Sequence, residues 1–468
     1  MNFGESKLLR YILTICFWCM AITSYAASHY VRPPGGNYGN EDGTDWNNAY
    51  DGLPTTLVRG DVYYVAAGVY NNGWYLDDPE SGTSVITIKK ANASECANVQ
   101  GWLSEFETGQ VVVYNGSDTT YGAAITITRG YYIIDGVTGT GTSGYGIKLR
   151  YANLNQDNTG ILIRDNAVSS LTVRHVEFDM PGSSYNYAQW GIHHVSGSFS
   201  NVHVDHCYAH NFNVFMKDDG GGGAIIENCY FKNQWSSSNH HGELISIVCT
   251  DGLIFRYNIV ENAVNGTGGI IVLGDYETYE CSVDDVEIYG NVFFDCSGGG
   301  NGIIGTGNSS CSLGAQNWKI YNNTIVDSGS MFVYFPMREC ATGGEPASNF
   351  LIKNNLIFNS SAYIDANSAT IDHNYFNSET SVGPDGKGTN QVNSTQTSAQ
   401  TFVDYENDRF ELKSGSDAVD AGVDLGAPYN TDILSISRPQ GSAWDIGAYE
   451  YVWGNFHGCT ILGGISTQ

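Results

Sequence analysis

The feature that most constrains the fold of this chain is a five-residue pattern that recurs through its central part. The pattern is an apolar residue, any residue, a second apolar residue, a polar residue and then a residue that favours turns. Eight copies occur, with their last residues 19 to 33 positions apart. The copies are LTVRH at 171–175, VHVDH at 202–206, AIIEN at 224–228, LIFRY at 253–257, VEIYG at 286–290, WKIYN at 318–322, FLIKN at 350–354 and ATIDH at 369–373.

The alternation within each copy predicts a short strand with one apolar face, because successive side chains of a strand point to opposite sides. A strand of five residues cannot bury such a face alone, so the copies must stack about 4.8 Å apart. We therefore predict an all-β parallel β-helix from about residue 84 to residue 378, with the extra residues of longer coils as loops. A propeller is disfavoured because its blades are antiparallel units of about 40 residues or more. The predicted internal column consists of Leu171, Val202, Ala224, Leu253, Val286, Trp318, Phe350 and Ala369.

One residue type also recurs directly after the copies. It is asparagine in five consecutive copies, and cysteine in the two copies before them: Asn258, Asn291, Asn323, Asn355 and Asn374, preceded by Cys207 and Cys229. We expect a ladder of side-chain hydrogen bonds inside one bend. We expect the two cysteines to be buried thiols, because a vertical pair in a tight bend rarely has disulfide geometry. A bridge between two of the loop cysteines Cys281, Cys311 and Cys340 stays open.

The N-terminal sequence and the net charge predict the localisation of the chain and limit its possible partners. Lys7 and Arg10 precede an apolar run at 11–22 and the small-x-small sequence Ser24-Tyr25-Ala26, which predicts a signal peptide over 1–26. A run of twelve residues is too short to span a bilayer. With 21 basic and 49 acidic residues the net charge is −28, which disfavours nucleic acid as a partner. We expect a bacterial export product, secreted or at the cell surface, monomeric and without a membrane span.

The repeat and its asparagine ladder resemble the single-stranded right-handed parallel β-helix of the pectate-lyase-like superfamily. The opening Tyr30-Val31-Arg32-Pro33 and GDVYYVAAGVY at 60–70 are similar to the N-terminal cap of secreted β-helix polysaccharide lyases. SGSDAVDAG at 414–422, Arg438-Pro439 and DIGAYE at 445–450 resemble the ending of exported proteins of the choice-of-anchor Q type. The resemblance implies an N-terminal cap at 27–83, a β-helix at 84–400, a C-terminal capping segment at 401–451 and a tail at 452–468.

Three neighbouring copies are each followed by a cluster of ionisable residues. The clusters are WGIHH at 190–194, FMKDD at 215–219 and NHHGE at 239–243. His193, Lys217 and Glu243 lie 18, 11 and 15 residues beyond the ends of their copies. If these residues occupy the next sheet of adjacent coils, the Cα atoms of neighbours would lie about 5 Å apart. We expect Arg256 to border the same groove, and Trp190, Trp235, Tyr276 and Tyr279 to be available for stacking on sugar rings.

Three interpretations of these clusters remain open. In the first they are polar loop residues, or a non-catalytic glycan-binding or structural surface. In the second the chain is a polysaccharide lyase acting on an acidic polysaccharide: Lys217 is the base, His193, His241 and Arg256 are further catalytic candidates, and Asp218, Asp219 and Glu243 hold Ca²⁺. The resemblance agrees, since several β-helix lyase families combine a Lys or Arg base with Ca²⁺. In the third it is a hydrolase with an acid and a base drawn from Asp205, Asp218, Asp219 and Glu243.

Overall fold

A computed structural model of the chain describes most residues from 26 to 453. The described ranges are 26–114, 122–151, 157–164, 168–180, 187–195, 199–218, 222–236, 242–248, 250–264, 269–273, 283–297, 302–306, 315–329, 331–335, 348–366, 369–378 and 381–453. Among these residues no helix combines the length and the apolar character needed to cross a bilayer.

The chain forms a right-handed parallel β-helix with three long sheets, in which all neighbouring strands run parallel. Within the described ranges the first sheet has thirteen strands: Ser28–Arg32, Tyr50–Asp51, Val62–Val65, Ile86–Lys90, Tyr132–Asp135, Val168–Arg174, Phe199–Asp205, Ala224–Glu227, Ile254–Arg256, Glu287–Tyr289, Lys319–Tyr321, Leu351–Lys353 and Thr370–Asp372. The described strands of the second sheet are Gly68–Tyr70, Val111–Tyr114, Ile147–Arg150, Val176–Asp179, Tyr208–His210, Tyr230–Lys232, Ile259–Glu261, Val292–Phe294, Thr324–Val326, Leu356–Phe358, Tyr375–Asn377 and Val392–Ser394.

The strands that the structure describes in the third sheet are Trp74–Leu76, Ala123–Ile127, Asn158–Ile163, Gln189–His194, Val214–Asp218, Ile245–Ile247, Ile271–Leu273, Ile304–Thr306, Val333–Tyr334 and Ile364–Asp365. Smaller elements are a parallel sheet of Thr250–Asp251, Val283–Asp284 and Ala315–Gln316, and an antiparallel pair of Phe402–Asp404 and Arg409–Leu412. Short helices span Ala93–Cys96 and Ser398–Thr401, with 3-10 turns at Ser104–Phe106 and Tyr405–Asn407.

The predicted internal column is confirmed. Leu171, Val202 and Ala224 are register partners in successive strands of the first sheet and are buried. The later members precede strands that pair in the same register, and they belong to one continuous core with Ala369 packed at its edge. The first sheet also begins before residue 84, because Ser28–Arg32 and Val62–Val65 are its early strands. The segment expected as an N-terminal cap therefore contributes strands to the solenoid.

The ladder is present at the bend between the first and second sheets. The backbone N–H of Asn258 donates to the Oδ1 of Asn291 at 2.9 Å, and that of Asn291 donates to the Oδ1 of Asn323 at 3.1 Å. The series continues through Asn355 to Asn374 with bonds of 3.1 and 2.8 Å. Each asparagine thus satisfies buried backbone groups that the bend would otherwise leave without partners.

The two cysteines extend this ladder as predicted. The backbone N–H of Cys229 donates to the Oδ1 of Asn258 at 2.9 Å, and that of Cys207 donates to the Sγ of Cys229 at 3.3 Å. Both are buried free thiols, so the expectation of no disulfide between them is confirmed. Cys281, Cys311 and Cys340 lie outside the described residues.

The C-terminal segment lies along the side of the last coils. Its Phe402, Phe410 and Tyr449 pack with apolar residues on the outer face of the second sheet, including Phe294 and Phe358. A second contact reaches the outer face of the first sheet, where Tyr429 and Trp444 pack with Tyr289 and Tyr321. The segment thus covers apolar outer positions that would otherwise face water. Whether it also seals the open end of the solenoid stays a prediction.

Candidate functional site

His193 and Lys217 are neighbours on the outer face of the third sheet. They are register partners in the adjacent strands Gln189–His194 and Val214–Asp218. Parallel strands lie about 4.8 Å apart, so two residues separated by 24 positions in the sequence meet side by side. Lys217 pairs on its other side with Ser246. We call this outer row of His193, Lys217 and Ser246 the third-sheet site.

The two ionisable members of the site differ in exposure. His193 is only 3% exposed, and its ring centroid lies 4.3 Å from that of Trp190. Lys217 is half-buried and so can be reached from solvent. A ligand approaching this row would therefore meet the Lys217 ammonium or amine first, with the His193–Trp190 ring pair beside it.

The residues next in sequence point into the solenoid. His194 and Asp218 are also register partners, and the Nδ1 of His194 lies 2.6 Å from the Oδ1 of Asp218. Their side chains are 1% and 0% exposed. The inward direction follows from strand geometry, since residues adjacent to outward-facing His193 and Lys217 must face the other way. Asp218 is therefore held inside the core and does not reach the groove in which a Ca²⁺ ligand was expected.

Glu243 is close to the site but not in register with Lys217. It precedes Leu244, whose carbonyl accepts hydrogen bonds from the backbone N–H groups of Phe215 and Met216. Glu243 is 6% exposed. The expected convergence of His193 and Lys217 thus occurs, while the partner of Lys217 in the third coil is Ser246 and not Glu243.

Arg256 and Asp205 lie elsewhere. Arg256 ends a strand of the first sheet, where its Nε donates to Glu227 at 2.6 Å and its Nη1 to the hydroxyl of Tyr289 at 2.8 Å. Asp205 ends another strand of the same sheet. The expectation that Arg256 borders the Lys217 groove is corrected by this placement, because the fourth position of each repeat faces outward from the first sheet, not the third.

Trp235 follows the second sheet and is half-buried. Its indole Nε1 donates to the carbonyl of Asn211 at 3.0 Å, so the ring is fixed against the preceding coil. His241, Asp219, Tyr276 and Tyr279 lie outside the described residues, and their proposed roles stay predictions.

A second group of ionisable residues lies on the outer face of the first sheet, and sequence reasoning missed its key member, His203. The Nε2 of His203 lies 2.7 Å from the Oε1 of Glu227, and the Nδ1 of His206 lies 2.6 Å from the Oδ1 of Asp205. Asp205 and Glu227 are register partners. The signal was available, because His203 stands two residues before Asp205 and must share its face.

Hydrogen bonds set the protonation of this second group. Partial burial favours a raised pKa for Asp205, but hydrogen bonds from His206 and Asn228 outweigh it and lower the pKa. Burial acts the same way on Glu227, and the bonds from His203 and Arg256 again leave its pKa lowered. Both carboxylates are therefore ionised at neutral pH.

Comparisons with known proteins give likeness in structure only. No known family profile matches the chain, and no curated protein matches its sequence. The crystal structure of pectate lyase Pel9A aligns with 91% of this chain and 97% of its own, at 16% identity and a TM-score of 0.45. A rhamnogalacturonan lyase aligns with 84% of this chain and 94% of its own, at 13% identity and a TM-score of 0.42. These values leave the chemistry of the chain to be argued from its own residues.

Proposed function

We propose that the protein is a secreted carbohydrate-active enzyme that cleaves an acidic polysaccharide by elimination, with Lys217 as the base. The observation that carries this proposal is the in-register pair of His193 and Lys217 on the outer face of the third sheet. The ring pair of His193 and Trp190 adds an apolar surface next to the amine of Lys217. A basic amine beside an aromatic surface suits a sugar, because aromatic side chains offer a large apolar area for packing and the amine can act as a base.

The reaction follows from the chemistry of uronates. The neutral amine of Lys217 takes the proton from the carbon next to the uronate carboxylate. The electron pair of that C–H bond forms a carbon–carbon double bond as the bond to the glycosidic oxygen breaks, and this oxygen takes a proton from water. Lys217 is the described residue of the site that combines a basic group with access from solvent.

Ca²⁺ stays a prediction for this site, and Asp219, one of its three expected ligands, lies outside the described residues. Ca²⁺ requires six to eight oxygen ligands. Of the carboxylates expected to hold it, Asp218 is fully buried with one oxygen bound to His194, and Glu243 is 6% exposed. No step of the proposed reaction is routed through the ion.

A hydrolase is less well supported. It needs two carboxyl groups facing each other across a bound sugar. Asp205 lies on the first sheet, Asp218 faces inward, and Glu243 is the remaining described candidate near Lys217.

A non-catalytic glycan-binding surface remains the second candidate function, because the half-buried Lys217 and the Trp190 ring would also suit binding alone.

The signal peptide predicted from the sequence supports export, and we infer a monomer acting outside the cell.

The test of the proposed activity is incubation of the mature chain with a panel of uronate polymers, followed by ultraviolet absorbance and mass spectrometry of the products. Elimination gives an absorbing unsaturated end and products whose masses sum to that of the parent. Hydrolysis adds one water per cleavage and gives no such absorbance. Binding without product would favour the glycan-binding function and contradict the lyase.

A further inference from the structure

We propose that the outer face of the first sheet carries a binding site for a first-row divalent transition metal, with zinc as the representative ion. The ligands are His203, Asp205 and Glu227. This site is separate from Lys217, which lies on the third sheet, and the proposal does not depend on the enzymatic one.

The three donor groups already converge. One ligand atom from each residue lies within 4.8 Å of the corresponding atoms of the other two. Asp205 and Glu227 are register partners on adjacent strands, and His203 shares their face because it stands two residues before Asp205. Zinc binds nitrogen and oxygen ligands at about 2.0–2.2 Å, so its ligand atoms are about 3.5 Å apart. Small side-chain rotations would bring the three groups to that spacing.

Residues outside the triad hold each carboxylate by one oxygen. Arg256 donates through its Nε to the Oε2 of Glu227 at 2.6 Å, while the Oε1 of the same group faces His203. His206 and Asn228 both contact the Oδ1 of Asp205, at 2.6 and 2.9 Å. Metal ligands in proteins are commonly oriented by such outer hydrogen bonds. Here they leave the Oε1 of Glu227 and the Oδ2 of Asp205 for the ion.

The donor set selects the class of metal. Ca²⁺ and Mg²⁺ prefer oxygen ligands throughout, whereas an imidazole nitrogen with two carboxylates suits zinc and its first-row neighbours. The ion would replace the hydrogen bond that now joins His203 to Glu227.

Binding would join two coils of the solenoid. His203 and Asp205 belong to Phe199–Asp205, and Glu227 belongs to the next strand, Ala224–Glu227. A ligand that binds only the folded chain raises its unfolding temperature. Elsewhere on this sheet, His373 lies 2.9 Å from the single carboxylate of Asp372. Within the described part of the chain, the His203 group is the one set of three such donors, so His373 provides a matched control.

The test uses the mature chain, freed of metal with a chelator and then titrated with zinc chloride and with cobalt chloride. We expect His203→Gln to lose one equivalent of zinc or to bind it at least about tenfold more weakly. The visible absorbance of bound Co²⁺ and the zinc-dependent rise in unfolding temperature should be lost with it. His373→Gln should keep all three properties.

Asp205→Asn is the second variant, and circular dichroism without metal shows whether each variant is folded. The same loss in Asp205→Asn supports the site even if His203→Gln does not fold. The proposal is wrong if the wild type binds no zinc, or if folded His203→Gln or Asp205→Asn binds the same number of zinc ions with unchanged affinity.

Discussion

At the scale of single residues, strand alternation places the neighbouring side chains of Lys217 and Asp218 in different environments. Lys217 faces outward and is half-buried, whereas Asp218 faces inward and contacts His194. Removing one partner of a buried hydrogen bond costs about 1–3 kcal/mol, and more where a charged group is left buried. The two positions should therefore respond differently to the same substitution.

We expect Asp218→Ala to lower the stability of the fold by about 3 kcal/mol, and Lys217→Ala to change it by less than about 1 kcal/mol. Thermal unfolding followed by circular dichroism measures both. Equal losses of stability in the two variants would contradict the opposite orientations of these side chains.

A second prediction at this scale concerns Glu177 on the second sheet. Burial acts to raise its pKa, but hydrogen bonds from His210, Lys148 and Gln110 outweigh it and lower the pKa to about 2. A carboxyl whose pKa is lower in the folded chain stabilises the fold above its unfolded pKa of about 4.3. That contribution is lost as the pH falls from there towards 2.

We therefore expect Glu177→Gln to be less stable than the wild type at pH 7, by about 1–2 kcal/mol after allowing for solvent screening. The difference should shrink below pH 4. Unfolding temperatures measured across this pH range test the prediction, with Glu406→Gln as the control because Glu406 is exposed. A difference that stays constant down to pH 2 would argue against the ionised role of Glu177.

At the scale of structural elements, the ladder joins each coil to the next. The Nδ2 of Asn323 donates to the carbonyl of Ile288 at 2.9 Å, and its Oδ1 accepts from Asn291. Removing this side chain leaves buried backbone groups without partners, and each such group costs about 1–3 kcal/mol of stability.

We expect Asn323→Ala to lower the unfolding temperature strongly, and Asn393→Ala, at an exposed position, to leave it nearly unchanged. Similar unfolding temperatures for the two variants would show that the ladder adds little stability.

The elements also show how far the sequence predicts this molecule. The strands of the repeat, the internal column and the ladder were predicted because period-2 alternation and a repeated bend residue are local signals. The site was predicted only in part. Loops of different length separate the copies, so distance along the chain does not give register, and Ser246 rather than Glu243 pairs with Lys217. The inward direction of Asp218 follows from strand alternation, and Arg256 lies on the first sheet because it belongs to a copy of the repeat.

At the scale of the whole molecule, the C-terminal segment completes the surface of the solenoid. It buries outer residues of the second sheet such as Phe294, Leu356 and Phe358. We expect a chain ending at residue 396 to expose this apolar strip. Increased fluorescence of a hydrophobic dye and association in size-exclusion chromatography would report it. A truncated chain that stays monomeric and binds no more dye would show that the segment is not needed to cover the strip.

The most direct test of the proposed function is the rate at which Lys217 variants release unsaturated ends from a uronate polymer that the wild type cleaves. General-base catalysis contributes about 10²–10⁴-fold. We therefore expect Lys217→Ala to lose at least about a hundredfold in kcat. Lys232→Ala, which removes a lysine paired with Glu261 on the second sheet, should keep the wild-type rate. Folded Lys217→Ala with an unchanged kcat would contradict the role of Lys217 as the base.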